Sequence, residues 1–202
     1  NCLETGVYRP LSDQELEERL SVTIQQNPAL HIVKRAVGEK AAKPFILYGA
    51  MNAATDRRKG LSCLLSALKL LDQEGFEANL FVFGASESDL PMQFEHINVH
   101  FVGYISDTDT LVTLYNLADL MVVPSLTENL SCAIMESMSC ATPVCCFAIG
   151  GNSDMVEHLS NGYLAKEKDA EDLALGIRWC LDNNKDGSLS AAARQKVMDN
   201  YT

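Results

Sequence analysis

The stretch from Leu120 to Phe147 constrains this chain more than any other. An apolar run of strand length, Leu120 to Pro124, passes into a polar loop, Ser125 to Asn129. A segment of small and apolar residues follows, closed by Thr142-Pro143, and a second apolar run, Val144 to Phe147, ends it. That order reads as strand, helix, strand. Both runs are apolar at nearly every position instead of alternating, so both faces of their sheet are expected to be covered, as in a parallel sheet flanked by helices. Such a unit has no use for carboxylates in its interior, yet it carries Glu128 at the helix entrance and Glu136 after seven intervening residues. With the helix starting just after Glu128, Glu136 is expected about two turns in, roughly 10 Å further along the axis. Two carboxylates at that spacing suit opposite ends of one elongated ligand. The plainer readings are an acid that favours the helix dipole for Glu128 and a solvated helix residue for Glu136.

The rest of the chain supports an alternating architecture. Asn1 to Pro10 lacks periodicity and reads as a linker, and Ser12 with Glu15 forms a capping box for a helix to about Gln25. Pro28 to Val37 has a short helical pattern, and Gly38 to Lys43 reads as a loop. Phe45 to Ala50 is the first clear strand, and it runs into a polar loop, Met51 to Lys59, that carries Arg57, Arg58 and Lys59. After Gly60, the residues Leu61, Leu64, Leu65, Leu68 and Leu71 follow the three-and-four spacing of an amphipathic helix, which Gly75 ends. Strands are expected at Leu80 to Phe83 and Val99 to Val102, then a helix capped by Ser106 or Asp107 with Leu111, Leu114 and Leu117 facing inward. Beyond Phe147 come Gly150-Gly151, a short helix from about Ser153 to Leu159, and a strand from Tyr163 to Ala165. Asp169 opens a helix to about Leu181, and a last helix starts near Ser190. Strands alternating with helices give an α/β fold with a doubly wound, Rossmann-like parallel sheet and helices on both faces.

Charge and composition narrow the partners. Sixteen basic against 27 acidic residues give a net charge of −11. Acids are spread along the chain, so no nucleic-acid partner is expected, and an anionic ligand needs a local basic patch. No apolar run approaches the roughly 18 residues a transmembrane segment needs, so a soluble chain is expected. The seven cysteines show no Cys-x-x-Cys pair and sit mostly beside apolar neighbours. They read as small buried hydrophobes in a reducing, cytoplasmic setting. His96 and His100 have a metal-like spacing but alternate with Ile97, Val99 and Phe101 in strand fashion, which spreads them about 13 Å apart. No metal is expected from these residues.

The order of the motifs carries a resemblance. Pro124-Ser-Leu-Thr-Glu128, seven residues, Glu136-Ser-Met, Thr142-Pro-Val, Gly150-Gly-x-x-Asp154-x-Val156 and Asn161-Gly-Tyr-Leu164 together resemble the C-terminal half of the retaining family 4 glycosyltransferases, two-domain enzymes of the GT-B fold. Asn1-Cys-Leu-Glu-Thr with Tyr8-Arg-Pro10 is similar to the linker between their two domains, and the resemblance extends to about Cys180. It implies a linker and leading helix over residues 1–27 and a donor-binding domain over 28–202. The acceptor-binding N-terminal domain would lie outside this chain, which alone is expected to bind donor without appreciable transfer.

The resemblance also assigns roles. Glu128 would be the catalytic-site acid that meets the donor sugar, in a donor loop with Asn129 and Leu130, and Glu136 would accept both ribose hydroxyls. Lys59 would neutralise the diphosphate. The family's partner arginine usually follows the glycine at the end of the first strand, where this chain has Gly49-Ala50, so either Arg57 or Arg58 would substitute. Gly103 and Tyr104 match the place where the base rests, unless Tyr104 is core. Gly150 and Gly151 either let backbone approach the sugar or form an ordinary turn. The implied reaction moves a sugar from a UDP- or GDP-sugar to a hydroxyl acceptor, with no cofactor and no required metal. Bacterial polysaccharide or lipid-linked glycan synthesis is the implied setting, with peripheral membrane association of the full-length protein open. The alternatives are a nucleotide-sugar epimerase of GT-B fold and a non-catalytic flavodoxin-like binding module.

Overall fold

The structure, a computed structural model, describes residues 3–26, 30–33, 43–49, 56–85 and 93–202. Six strands form one parallel sheet: β1 (Phe45–Gly49), β2 (Ala78–Phe83), β3 (Ile97–Gly103), β4 (Leu120–Val123), β5 (Val144–Phe147) and β6 (Gly162–Ala165). Their order is β3-β2-β1-β4-β5-β6, so the winding reverses between β1 and β4. Among the described residues the helices α1 (Asp13–Gln26), α2 (Leu61–Gln73), α3 (Thr108–Leu117), α4 (Cys132–Ser139), α5 (Asn152–Met155), α6 (Ala170–Asn183) and α7 (Ser188–Asn200) connect and cover them. Among the described residues no helix is long and apolar enough to cross a membrane.

The continuous apolar strands are explained by burial on both faces. Successive strand residues point to opposite sides, so Phe45, Leu47, Met121 and Val123 meet α1, α3, α4 and α7 on one face. Ile46, Tyr48, Leu120 and Val122 meet α2 and α6 on the other. Local chemistry sets the helix starts. Ser12 and Glu15 make the expected capping box, with the Ser12 amide donating to Glu15 at 2.9 Å and the Glu15 amide to the Ser12 hydroxyl at 3.3 Å. Asp107, rather than Ser106, caps α3 by accepting from the Thr110 amide at 2.7 Å, and Asp169 caps α6 by accepting from Asp172 at 2.9 Å.

Several boundaries differ from the sequence reading. β2, β3 and β6 start one to two residues earlier than expected, because their parallel partners continue the ladder to Ala78↔Ile97 and Val144↔Gly162. The helix expected from Ser153 to Leu159 is the single turn α5, ending at Met155. The Asn161 side chain takes over its last groups, donating to the Met155 carbonyl at 3.2 Å and accepting from the Glu157 amide at 2.8 Å. Val156 is thereby extended and fully buried. Four cysteines, Cys140, Cys145, Cys146 and Cys180, are buried as expected, but Cys132 is exposed at the first position of α4. The loop from Gly38, most of the helix expected at Pro28 to Val37, residues 50–55 and Cys2 lie outside the described residues.

Gly176 illustrates how tightly α6 seats on the sheet. A methyl there would overlap the Tyr163 ring and come within 2.8 Å of the Cys145 sulfur. The Tyr163 ring has little room to yield, because its hydroxyl donates to Asp172 at 2.9 Å and its edge packs on His158. Helix propensity alone favours alanine over glycine by about 1 kcal/mol, whereas overpacking a filled core costs about 1–3 kcal/mol. Gly176→Ala is therefore expected to destabilise the fold by about 1 kcal/mol or more in chemical denaturation, and a gain in stability would contradict this account of the packing.

Candidate functional site

In a doubly wound sheet the crevice beyond the carboxyl ends of the strands, where the winding reverses, is where ligands collect. Here that point lies between β1 and β4, and three loops converge on it. After β4 the chain runs through Pro124 and Ser125 to Glu128 and Asn129. Opposite lies a short 3-10 turn, Arg57–Lys59, N-capped by Asp56 and ended by Gly60 in the left-handed region at φ 70°. A Cβ at residue 60 would overlap the Pro124 carbonyl oxygen, so only glycine lets these two backbones meet. The Leu126 amide donates to the Arg58 carbonyl at 2.7 Å, and the Tyr48 hydroxyl donates to the Lys59 carbonyl at 3.3 Å.

From the other side, the loop after β5 presses on the same segment. A Cβ on Gly150 would overlap the Glu128 carbonyl oxygen, and one on Gly151 the Asn129 carbonyl oxygen, to which the Gly151 amide donates at 2.8 Å. The backbone these glycines admit is thus that of the Glu128 loop. Held from both sides, the segment does not wind into helix, and α4 begins only at Cys132. The expected two-turn separation along a helix axis is therefore corrected: Glu128 is in the loop, and Glu136 is about one turn past the start of α4.

This arrangement brings Lys59 and Glu128 together. The ammonium lies 3.4 Å from Glu128 Oε2, with the side chains 30% and 16% exposed. A pair at this distance and exposure adds little stability, less than about 1 kcal/mol, but it orients a cation and a carboxylate on one spot. Arg58 turns back on its own loop instead, with its guanidinium on both oxygens of Asp56 at 2.8–3.2 Å, which lowers the Asp56 carboxyl to about 2. Arg57 is exposed on the same turn. Asn129 and Leu130 are exposed on the loop, Leu130 at 40%. Gly103 ends β3 at φ 74°, and Tyr104 is 69% exposed, which removes the reading of Tyr104 as core. Ala50 lies outside the described residues.

Glu136 makes its contacts elsewhere. The buried Tyr115 hydroxyl, brought by α3, donates to Glu136 Oε2 at 2.9 Å, and the Tyr8 side chain, from the N-terminal stretch, lies near the same carboxylate. Burial raises the Glu136 carboxyl above its ordinary range, and the two phenols pull it back. Sequence reasoning missed both tyrosines as partners. Tyr115 sits between Leu114 and Leu117 on an apolar face and reads as core, although a buried phenol needs an acceptor and so carried a signal. Among the described residues no three His, Cys, Asp or Glu side chains gather as a metal site would require.

Comparison with known proteins gives the family. The family described as glycosyl transferases group 1 matches residues 33–196. An uncharacterized glycosyltransferase of Methanocaldococcus jannaschii is 29% identical over 180 residues, 85% of this chain and 43% of that protein. The amylovoran biosynthesis glycosyltransferase of Erwinia amylovora is 30% identical over 134 residues, 60% of this chain and 33% of the other. The Anabaena protein HepE, crystallised in complex with UDP-glucose, superimposes on all of this chain with a TM-score of 0.70 at 22% identity, over 52% of its own length. The chain thus spans less than half the length of the curated relatives it matches.

The glycine contacts make a direct prediction. Gly60→Ala meets both a left-handed backbone and the Pro124 carbonyl, so it is expected to cost more than about 2 kcal/mol and to separate the Arg57–Lys59 turn from the Glu128 loop. Thermal unfolding and the backbone amide shift of Leu126, whose bond to Arg58 would be lost, check the two consequences. An unchanged melting temperature and Leu126 shift would show that the loops do not depend on this contact.

Proposed function

Since this chain belongs to the glycosyl transferases group 1 family, we propose that it forms the donor-binding part of a retaining glycosyltransferase that uses a UDP- or GDP-sugar. The observation that carries the reading is the Lys59–Glu128 pair, set at the reversal of the sheet by backbone contacts that only glycine permits. A nucleotide sugar has a diphosphate between a ribose and a hexose, and the diphosphate leaves when the sugar is transferred. Lys59 neutralises the charge that grows on it. Arg57 assists, since Arg58 is engaged by Asp56. The N-terminus of α4, which has no side-chain cap, supplies amides suited to the same anion. Glu128 meets the sugar hydroxyls, and Glu136 accepts from the ribose diol, as an acceptor-only carboxylate can.

The neighbour HepE was solved with UDP-glucose, which favours testing uridine nucleotides beside guanosine ones. The acceptor is held by a second domain, and closing the two domains supplies the orientation that transfer needs. The relatives' names, amylovoran biosynthesis among them, make surface polysaccharide or a related glycan the product class we favour. No metal or other cofactor is assigned a part in this reading.

Calorimetric titration with UDP, GDP and their sugar conjugates tests the proposal. Glu136→Gln turns one acceptor oxygen into a donor that faces a hydroxyl, removing a charged hydrogen bond worth roughly 1.5–3 kcal/mol. Affinity is expected to fall about 10- to 150-fold with the fold intact, and wild-type affinity in this variant would refute the ribose assignment. Lys59→Ala is expected to weaken diphosphate binding and flatten its salt dependence while leaving nucleoside binding nearly unchanged, because the lost contribution is screened charge. Equal losses for nucleoside and diphosphate would instead mark a folding defect.

A further inference from the structure

We propose that Tyr115 and Tyr8 are positioning residues for Glu136: their phenols hold its carboxylate in the orientation and the ionised form that accept a ribose diol. The inference rests on the ribose assignment above. Tyr115 comes from the inner face of α3, is 1% exposed, and donates to Glu136 Oε2 at 2.9 Å. A buried phenol has to find an acceptor, and a carboxylate offers about four lone-pair positions. The Tyr115 phenol, with the Tyr8 side chain beside it, therefore leaves room on Glu136 for two ribose hydroxyls while limiting the side chain's freedom to turn away.

Tyr8 is held in place independently of its phenol. Its carbonyl accepts from the Ser139 hydroxyl and from Arg194 at 2.9 Å, and Arg194 also donates to the Ser139 carbonyl at 2.6 Å and the Thr5 carbonyl at 3.3 Å. Ser139 is one turn after Glu136 on α4. A charged group on α7 is thus given over to backbone carbonyls and a hydroxyl, and the result is a fixed path for the N-terminal stretch past Glu136.

The charged and titratable groups around Glu136 define what pH should do. Tyr115 faces it from α3, Tyr8 from the N-terminal stretch, and Cys140 from its own helix. Arg194 on α7 and Arg19 on α1 lie toward Cys140. Burial pushes Tyr8 up to about 12 and Tyr115 well above its ordinary value, so both remain donors at neutral pH. Burial pushes Glu136 up as well, and the phenols oppose this. Removing a phenol then raises Glu136 further, so the protonated, non-accepting form grows as pH falls.

Tyr115→Phe and the more exposed Tyr8→Phe test the inference, each with UDP and GDP titrated from acidic to mildly alkaline pH. The Glu136 carboxyl carbon is followed by NMR in the ligand-free proteins. Tyr115→Phe is expected to weaken binding about 3- to 10-fold near neutrality, with the loss growing toward acid. Glu136 should titrate at higher pH than in the wild type, and adding the change to Glu136→Gln should produce no further loss. Tyr8→Phe should shift both readouts in the same direction, by less. Normal wild-type binding combined with an unmoved Glu136 titration, or with a loss that is equal at every pH and additive with Glu136→Gln, overturns the positioning role alone. Absence of nucleotide binding by the wild-type chain overturns the donor reading and this inference with it.

Discussion

Everything at the centre of this molecule depends on the close approach of two backbone segments to one loop. Pro124 to Asn129 is pressed from one side by Gly60 and from the other by Gly150 and Gly151, at distances where a Cβ would occupy the space of a carbonyl oxygen. These contacts are geometric before they are chemical. They place the Lys59 ammonium beside the Glu128 carboxylate and keep the loop from winding into α4. The salt bridge follows from the packing. At its exposure it has too little energy to create the arrangement.

The charge distribution follows the same logic on a larger scale. A chain with net charge −11 repels anions over most of its surface, so an anionic ligand has to be received where cations are held locally. The Arg57–Lys59 turn gathers three basic side chains in succession, and Asp56 engages one of them. Glu136 stands in the opposite situation. It is a carboxylate surrounded by apolar helix faces, kept compatible with that environment by phenol donors instead of by a cation. One carboxylate is balanced by charge and the other by hydrogen bonds, which suits a ligand that is anionic in its middle and hydroxylated at its ends.

Much of this was legible in the chain itself. Unbroken apolar runs announced strands covered on both faces, and Leu61, Leu64, Leu68 and Leu71 announced α2, because burial against a parallel sheet leaves no polar alternation to write. The Glu128, Lys59 and Gly150-Gly151 segments lie together, although the two glycines admit the Glu128 loop rather than a ligand. What sequence could not supply was set by distant backbone partners. The late start of α4 depends on Arg58 and Gly151 holding Leu126 and Asn129. The short α5 depends on the Asn161 side chain. Tyr115 looked like core because only the position of Glu136, on another helix, makes its hydroxyl useful. Cys132 looked buried because its neighbours are, although it falls on the outward side of the first turn.

The strand order has a consequence for how the site comes into being. β1 pairs with β2 and β2 with β3 through single crossovers, as β4 does with β5 and β5 with β6. The seam between β1 and β4 spans the most chain, with the Phe45 amide donating to the Asp119 carboxylate across 74 residues. Closing the longest loop costs the most configurational entropy. The two halves of the sheet can satisfy most of their own ladder bonds, but the Gly60 contact to Pro124 exists only when the seam is shut. Lys59 belongs to one half and Glu128 to the other, so the pair exists only when the seam is shut. A ligand that bridged both residues would also hold together the seam that has the fewest paired residues in the sheet.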